Sequence, residues 1–439
     1  MAFKSIFYSF LLFVLSLNGC VVVENSYEAL PPGIWRGVLQ LDPLSFVPPE
    51  KAGGSIVSQE GYRKEMPKGS LPFQFEVIYD NEKEFHIELI NGSERITVPD
   101  IGFGRNIRTA IDTVYIDFPV YDSYIQAQFR ENILDGYWVV RYKEDYKIPF
   151  VAQYGEPNRY TDQIETPATD LSGKWEVVFS PEEDPYPAIG EFQQTGNKLT
   201  GTFLTETGDY RYLEGTIQDD WFSLSVFDGA HAFLFEGKVL SDDQIIGSFR
   251  SGKHYQTTWS GSRNPNATLA DPDSLTFLKP EAGPFTFSFP DANGQVVSLT
   301  DREFDGKYKI VQILGTWCPN CRDETLFLKS YLEEHPQKDL AVIGLAFERY
   351  QDPTLARAAI ARYQEKLDLP YPVLHAGNSN KEEAALALPM LNHILSFPTL
   401  IFLNRTNEVL RIHTGFSGPA TSAYADFVAD FEAFLDELE

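Results

Sequence analysis

The sequence predicts a multidomain chain: two antiparallel all-β regions, each a barrel or a sandwich, followed by an α/β domain. Three observations carry this expectation. With 439 residues the chain is too long for one hydrophobic core, since roughly 100 to 200 residues per domain is usual. Aromatic residues form 14% of it, and as far as about Arg263 they recur at alternating positions, which suits pleated, half-buried strands. From Phe285 onward continuous apolar strands alternate with amphipathic helices instead. The hydrophobic fraction of 43% is globular, and a formal charge of −27 leaves no basic stripe for phosphates, so nucleic acid is set aside as a partner.

The N-terminus carries Lys4, an apolar run from Ile6 to Leu17, and then Leu17-Asn18-Gly19-Cys20. The run is shorter than the roughly 20 residues that span a bilayer, as in a cleaved signal. Gly19-Cys20 resembles the lipobox of bacterial lipoproteins. That resemblance implies a signal peptide over 1–19, a diacylated Cys20 that anchors the chain to a membrane, and a tether over 20–32. Val21 and Val22, in place of acidic residues, resemble outer-membrane sorting, giving a periplasm-facing lipoprotein of the cell envelope. The competing readings are an ordinary secretory signal with a chance cysteine and an uncleaved anchor.

The first β region, 33–165, holds alternating runs such as Leu71 to Tyr79, Phe85 to Ile90, Asp112 to Phe118, Ser123 to Phe129 and Gly136 to Tyr142, separated by turns such as Asn91-Gly92. Its polar end, Gly155 to Asp170, reads as a seam. The second, 171–265, contains eight short runs from "GKWEVVF" to "HYQTTWSG", spaced by "TGN", "TGD", "QDD", "DGA" and "SDD", as in an up-and-down barrel or a sandwich. Both regions open on G-x-W, at Trp35 and Trp175, which resembles the lipocalin and related calycin families. The plainer account is that each Trp plugs one end of its own core.

Residues 266–283 are polar and Pro-rich, as in a linker, and 284–439 form the α/β domain. The predicted strands there are "QVVSLTD", "KIVQILGTW", "LAVIGLAF", "YPVLH" and the hairpin "TLIFLN"/"EVLRIHTG". The predicted helices are "RDETLFLKSYLEEHP", "DPTLARAAIARYQEKL", "KEEAALALPMLNHI" and "AYADFVADFEAFLDEL".

The chemistry centres on "ILGTWCPNCRDE". The chain has three cysteines; with Cys20 as an anchor, only Cys318 and Cys321 remain as thiols. No second CxxC or His-x-x-x-His completes a zinc site, so a metal is not expected. A CxxC where a buried strand meets a helix puts Cys318 at the helix N-terminus, where free N–H groups and the helix dipole favour a thiolate. Cys318 is thus the expected nucleophile and Cys321, one turn on, the resolving thiol. Pro319 suits the first helical turn, and Trp317 shields the pair.

Trp317-Cys318-Pro319-Asn320-Cys321, with Ser396-Phe397-Pro398-Thr399, resembles the thioredoxin superfamily and within it the TlpA/ResA-like thiol-disulfide oxidoreductases. The resemblance covers about Phe285 to Glu439. It implies a cis bond before Pro398, whose neighbouring backbone receives the substrate's cysteine peptide; Phe397, larger than the residue usual there, would narrow that groove. Thioredoxins proper bury an acid where this chain has Gln312, which cannot relay protons. Glu324 and Glu348 are the available carboxylates, Glu324 being the candidate acceptor for the Cys321 proton. Gly315 stands where peroxiredoxins place a Thr, which speaks against a peroxidase. The resemblance implies an enzyme reducing disulfide-containing envelope proteins, with a Cys318-Cys321 disulfide in place of a cofactor and a membrane electron donor as partner. The alternative is a hydrophobic-ligand or partner-binding lipoprotein with a secondary redox domain, which requires a β barrel with an open interior.

Overall fold

The structure, a computed structural model, describes residues 29–42, 68–81, 83–106, 111–161 and 164–438. Cys20, the signal and most of the tether lie outside the described residues. Nine strands from Gly33–Gln40 to Lys147–Tyr154 form one antiparallel sheet in which the first strand pairs with both Ser70–Tyr79 and Lys147–Tyr154. Its edges are Glu94–Val98 and Ile101–Asn106, and among the described residues no ladder joins them: the sheet is a curled half-barrel. Side chains alternate as a one-sided sheet requires, with Ile125 and Ala127 buried beside exposed Gln126 and Gln128 in Ser123–Arg130.

The second region closes. Eight strands from Gly173–Phe179 to Tyr255–Arg263 run antiparallel, and Tyr186–Thr195 pairs with Lys198–Thr205 to complete the barrel, with a two-residue strand, Gly208–Asp209, appended to it. The two regions begin alike: the indole Nε1 of Trp35 donates to Pro31 O at 3.0 Å and that of Trp175 to Leu171 O at 2.9 Å, each four residues back, and both rings are fully buried. The barrel interior is full. Phe203 stacks on Phe235 at 4.6 Å, Phe235 on Phe249 at 4.5 Å, and Phe179, Phe192 and Trp259 close around them. Such packing removes the volume that a ligand carrier needs.

The two β regions share a joint. Phe227 of the barrel inserts between Phe73, at 4.6 Å, and Trp138, at 5.2 Å, of the half-barrel. The polar seam passes through this joint, where buried Arg159 donates to Ser225 O at 3.0 Å and lies 3.6 Å from Glu214.

The C-terminal domain is a thioredoxin-like α/β fold. Tyr308–Leu314, Leu340–Glu348 and Val373–Asn378 are parallel, and Thr399–Leu403 and Val409–Thr414 complete a five-stranded sheet as an antiparallel edge. Helices Pro319–Glu334, Pro353–Leu367 and Tyr424–Glu437 flank it. Two expectations change. The helix predicted over "KEEAALALPMLNHI" is only Lys381–Ala387, because Pro389 has no N–H for an intrahelical bond and clashes with the preceding turn. Residues 266–283 are docked, not free: Asp273 pairs with Arg411 at 2.6 Å and His413 at 2.8 Å, and Leu278 bridges to Leu391.

Candidate active site

Cys318 stands where the buried strand Tyr308–Leu314 delivers the chain to the helix Pro319–Glu334. It is the N-cap of that helix, with Pro319 in the first turn, and its Sγ accepts from the Cys321 N–H at 3.3 Å. The same sulfur donates to Phe397 O at 3.5 Å, and the Phe397–Pro398 peptide is cis. Both cysteines are free thiols and buried. Burial opposes ionisation of Cys318, but hydrogen bonding from the Cys321 thiol and N–H, the Arg349 charge and the Asn320 N–H outweigh it and hold its pKa below the ordinary thiol value. Burial pushes Cys321 the other way, and the Cys318 sulfur and Glu324 carboxyl add to that rise. The pair is therefore asymmetric, one ready nucleophile and one stored proton.

Glu324 lies beneath the pair with no exposed surface. Burial drives its carboxyl well above the carboxylate range, a hydrogen bond from Gln312 opposes the rise, and the Cys318 charge reinforces it. Gln312, dismissed on sequence because an amide cannot relay protons, has a different task. Its Nε2 donates to Glu324 Oε2 at 2.8 Å and to Cys321 O at 3.3 Å, and its Oε1 accepts from Thr325, whose hydroxyl also accepts from Tyr363. Sequence reasoning missed this chain because Gln312, Thr325 and Tyr363 sit on three separate elements with no shared spacing.

Glu348 is placed differently from Glu324. Its two oxygens accept from the Thr316 N–H at 3.0 Å and hydroxyl at 2.9 Å, bracing the turn that carries Trp317. Trp317 folds back: its Nε1 donates to Phe347 O, and a Cβ added at Gly315 would meet that nitrogen at 2.3 Å. The half-buried Phe397 ring meets Trp317 edge-on at 5.8 Å.

Burial raises the Glu348 pKa from 4.5 to about 7, against the Thr316 hydrogen bonds. A carboxyl whose folded pKa is raised stabilises the fold fully below its unfolded value, and that contribution is lost as pH rises through the folded one. The change is worth about 3 kcal/mol between pH 4.5 and pH 8. Glu348→Gln should remove it, which urea unfolding of both proteins at pH 5 and pH 8 would show; equal losses in both would disprove the assignment.

The β regions reach this site. The barrel turn around Gly208 lies on it: Asn320 Nδ2 donates to Asp209 O at 3.0 Å and Ser396 Oγ to Thr207 O at 2.8 Å. Gly208 has φ +133° and faces Asn320 so closely that a Cβ would stand 2.5 Å from Nδ2. Buried Arg211, at the end of this turn, pairs with Asp323 of the active-site helix, with Asp228 of the barrel and with Glu94 of the half-barrel. Neither the turn nor Arg211 was legible in sequence as part of the site.

Residues 265–427 match the Redoxin family model. Among curated proteins, the chain is similar to the thiol-disulfide oxidoreductase ResA of Halalkalibacterium halodurans, 25% identical over 129 residues, which cover 29% of this chain and 65% of that protein. It is also similar to the thioredoxin-like protein YneN of Bacillus subtilis, 24% identical over 129 residues, 29% of this chain and 68% of that one. The chain thus spans a little under two thirds of the ResA relative. Among solved structures, a thiol-disulfide oxidoreductase from Bacteroides fragilis aligns over 33% of this chain and 96% of its own, with 23% identity and a TM-score of 0.25.

Proposed function

We propose that this chain, whose C-terminal domain is of the TlpA/ResA-like thioredoxin kind, is a thiol-disulfide oxidoreductase that reduces disulfides of envelope proteins through Cys318 and Cys321. The observation that carries the reading is the placement of the two thiols on one helix N-terminus, where Cys318 caps the helix, accepts the Cys321 N–H at 3.3 Å and faces Phe397 O; the opposed displacement of the two thiols agrees with it. In the reduced protein, Cys318 as thiolate attacks one sulfur of a substrate disulfide, forms a mixed disulfide and releases the other substrate sulfur as a thiolate, which takes a proton from water. The Cys318 charge, which had raised both Cys321 and Glu324, is then gone. With that charge gone Glu324 ionises to solvent, its carboxylate takes the Cys321 proton, and the Cys321 thiolate attacks Cys318 Sγ; the second substrate sulfur leaves as a thiolate and takes the proton back from Glu324, leaving a Cys318-Cys321 disulfide. Two electrons have passed to the substrate, and a donor must return them.

Phe397 O, beside cis-Pro398, offers the substrate strand an acceptor, Trp317 and Phe397 form the wall of the groove, and Pro319 fixes the helix start. Glu348 acts by holding the Trp317 turn. The redox-active disulfide serves in place of a cofactor. The proposed setting is the periplasmic face of the outer membrane, reached through lipidated Cys20, with a membrane electron donor as partner.

Alkylation of the reduced protein by iodoacetamide tests the nucleophile. Cys318 should react with a midpoint below the ordinary thiol value of about 8.5, with Cys321 silent. A midpoint at or above that value, or equal labelling of both cysteines, would sink the reading, as would failure to reduce any disulfide.

A further inference from the structure

Beside Trp317, on the Cys318 site, stands a cluster of cations of which the reaction above draws only on the Arg349 charge. The Arg349 guanidinium lies 3.9 Å over the Trp317 ring and 5.7 Å from the Tyr142 ring centre. Lys143 Nζ stands 4.6 Å from the Tyr146 ring and 6.0 Å from that of Tyr142, and Lys253 Nζ 5.0 Å from Tyr146. Each domain supplies one member: Lys143 comes from the half-barrel, Lys253 from the barrel and Arg349 from the α/β domain.

No carboxylate closes these charges at ion-pair distance among the described residues, although the Arg349 charge acts on the neighbouring Glu348 carboxyl. Among the described residues no ion pair involves Lys143, Lys253 or Arg349, although Arg349 Nε is buried without a partner. Glu348 turns its carboxyl to Thr316. Glu144 and Asp145 are exposed next to Lys143 without pairing to it, and Lys253 Nζ donates to the main-chain oxygens of Asp145 and Lys147. Burial and the Arg349 charge push Lys143 down to about 8, and burial with the Lys143 and Arg349 charges pushes His254 down to about 4. In a chain with a formal charge of −27, gathering unpaired cations at one place costs stability, and functional sites are where such costs are kept.

Access points the same way. The barrel turn at Thr207 to Asp209 covers the Asn320 and Ser396 side of Cys318, which leaves Trp317, the Arg349 guanidinium over it and the lysines on the neighbouring Tyr142 and Tyr146 rings to meet an arriving disulfide. We infer that Lys143, Lys253 and Arg349 form the acceptor-recognition surface of this site, and that it selects disulfides flanked by carboxylates. This rests on the oxidoreductase reading and names its substrate class. Cations held over aromatic rings keep their charge without a carboxylate partner while the rings supply apolar contact, and the local field at the sulfur, not the net charge, governs the encounter.

The test uses the reduced full chain and three cystine peptides of one length, flanked by Glu, Gln or Lys, together with dithiodiglycolate and cystamine as small anionic and cationic disulfides. The net charge alone favours the Lys peptide and cystamine. The inference expects the Glu peptide to be reduced at least tenfold faster, in kcat/KM, than the Lys peptide. The margin should fall to about twofold or less in Lys143→Met and in Arg349→Met, and shrink in 0.5 M salt. Dithiodiglycolate outpacing cystamine as well would mean that free anionic disulfides suffice; a preference confined to the peptides would mean a polypeptide acceptor. Equal rates, or the Lys peptide ahead, would overturn the inference while leaving the redox function standing. Binding of S-methylated dithiol peptides, which cannot exchange, is measured in parallel: a Glu preference there without any reduction would remove the oxidoreductase reading but keep the surface, and no preference would remove the surface.

Discussion

In Cys321→Ser protein, a mixed disulfide between Cys318 and the acceptor should accumulate to near stoichiometry, while turnover falls by at least about a thousandfold. The expectation follows from the division of labour between the sulfurs. Cys318 accepts the Cys321 N–H and sits at a helix N-terminus, neither of which the serine disturbs, so attack on the substrate proceeds. Among the described residues no other thiol is placed to resolve the adduct, and serine is too poor a nucleophile toward sulfur to replace Cys321. Non-reducing gels of envelope extracts, and mass spectrometry of a model adduct, provide the readout. Cys318→Ser is the control, in which no adduct should form. An adduct on Cys321 in that control, or none in Cys321→Ser, would reverse or remove the assigned roles.

Glu324→Gln should slow the resolving step by about a hundredfold at neutral pH, at the low end of what a positioned proton acceptor supplies, and leave first attack by Cys318 within a fewfold of wild type. The amide preserves the volume and the hydrogen bond from Gln312 but cannot take the Cys321 proton. Stopped-flow reduction of a model disulfide separates the two phases, and the pH profile decides between roles. If Glu324 accepts the proton, the slow phase of the variant should rise with hydroxide over the whole range, whereas wild type should level off. A uniform loss in both phases, with the wild-type profile retained, would mean that Glu324 merely fills space.

Much of this was legible in the sequence, and the reasons are local. A continuous apolar strand running into WCxxC fixes Cys318 at a helix start because the strand is buried on both faces and Pro319 can only begin a helix. The barrel was legible because its eight runs are short and its turns regular; its closure through Tyr186–Thr195 and Lys198–Thr205 was not, since a sandwich has the same alternation. The half-barrel shows the same limit, as only long-range pairing decides whether edges meet. At the site, Glu324 stood out through the TlpA/ResA-like resemblance, as one of two carboxylates available there, whereas Gln312 was misjudged by asking only what it titrates. Asp209, Arg211 and the Lys143 cluster were invisible for a different reason: the contacts that join them across domains, Asp209 to Asn320, Arg211 to Asp323 and Arg349 to Tyr142, each span more than a hundred residues, and a sequence gives no distance between domains.

The barrel turn over the active site has a practical consequence. Because Thr207 O and Asp209 O occupy Ser396 and Asn320, and Arg211 neutralises Asp323 on the active-site helix, a fragment trimmed to residues 265–427 would keep every atom of the CxxC chemistry and lose its surroundings. Its sulfur would meet solvent on a face that the whole protein keeps closed, with Asp323 left to Arg322 alone as its cationic partner. Rates and potentials measured on such a fragment would describe a generic thioredoxin-like thiol; the selectivity proposed above would belong to the three domains together.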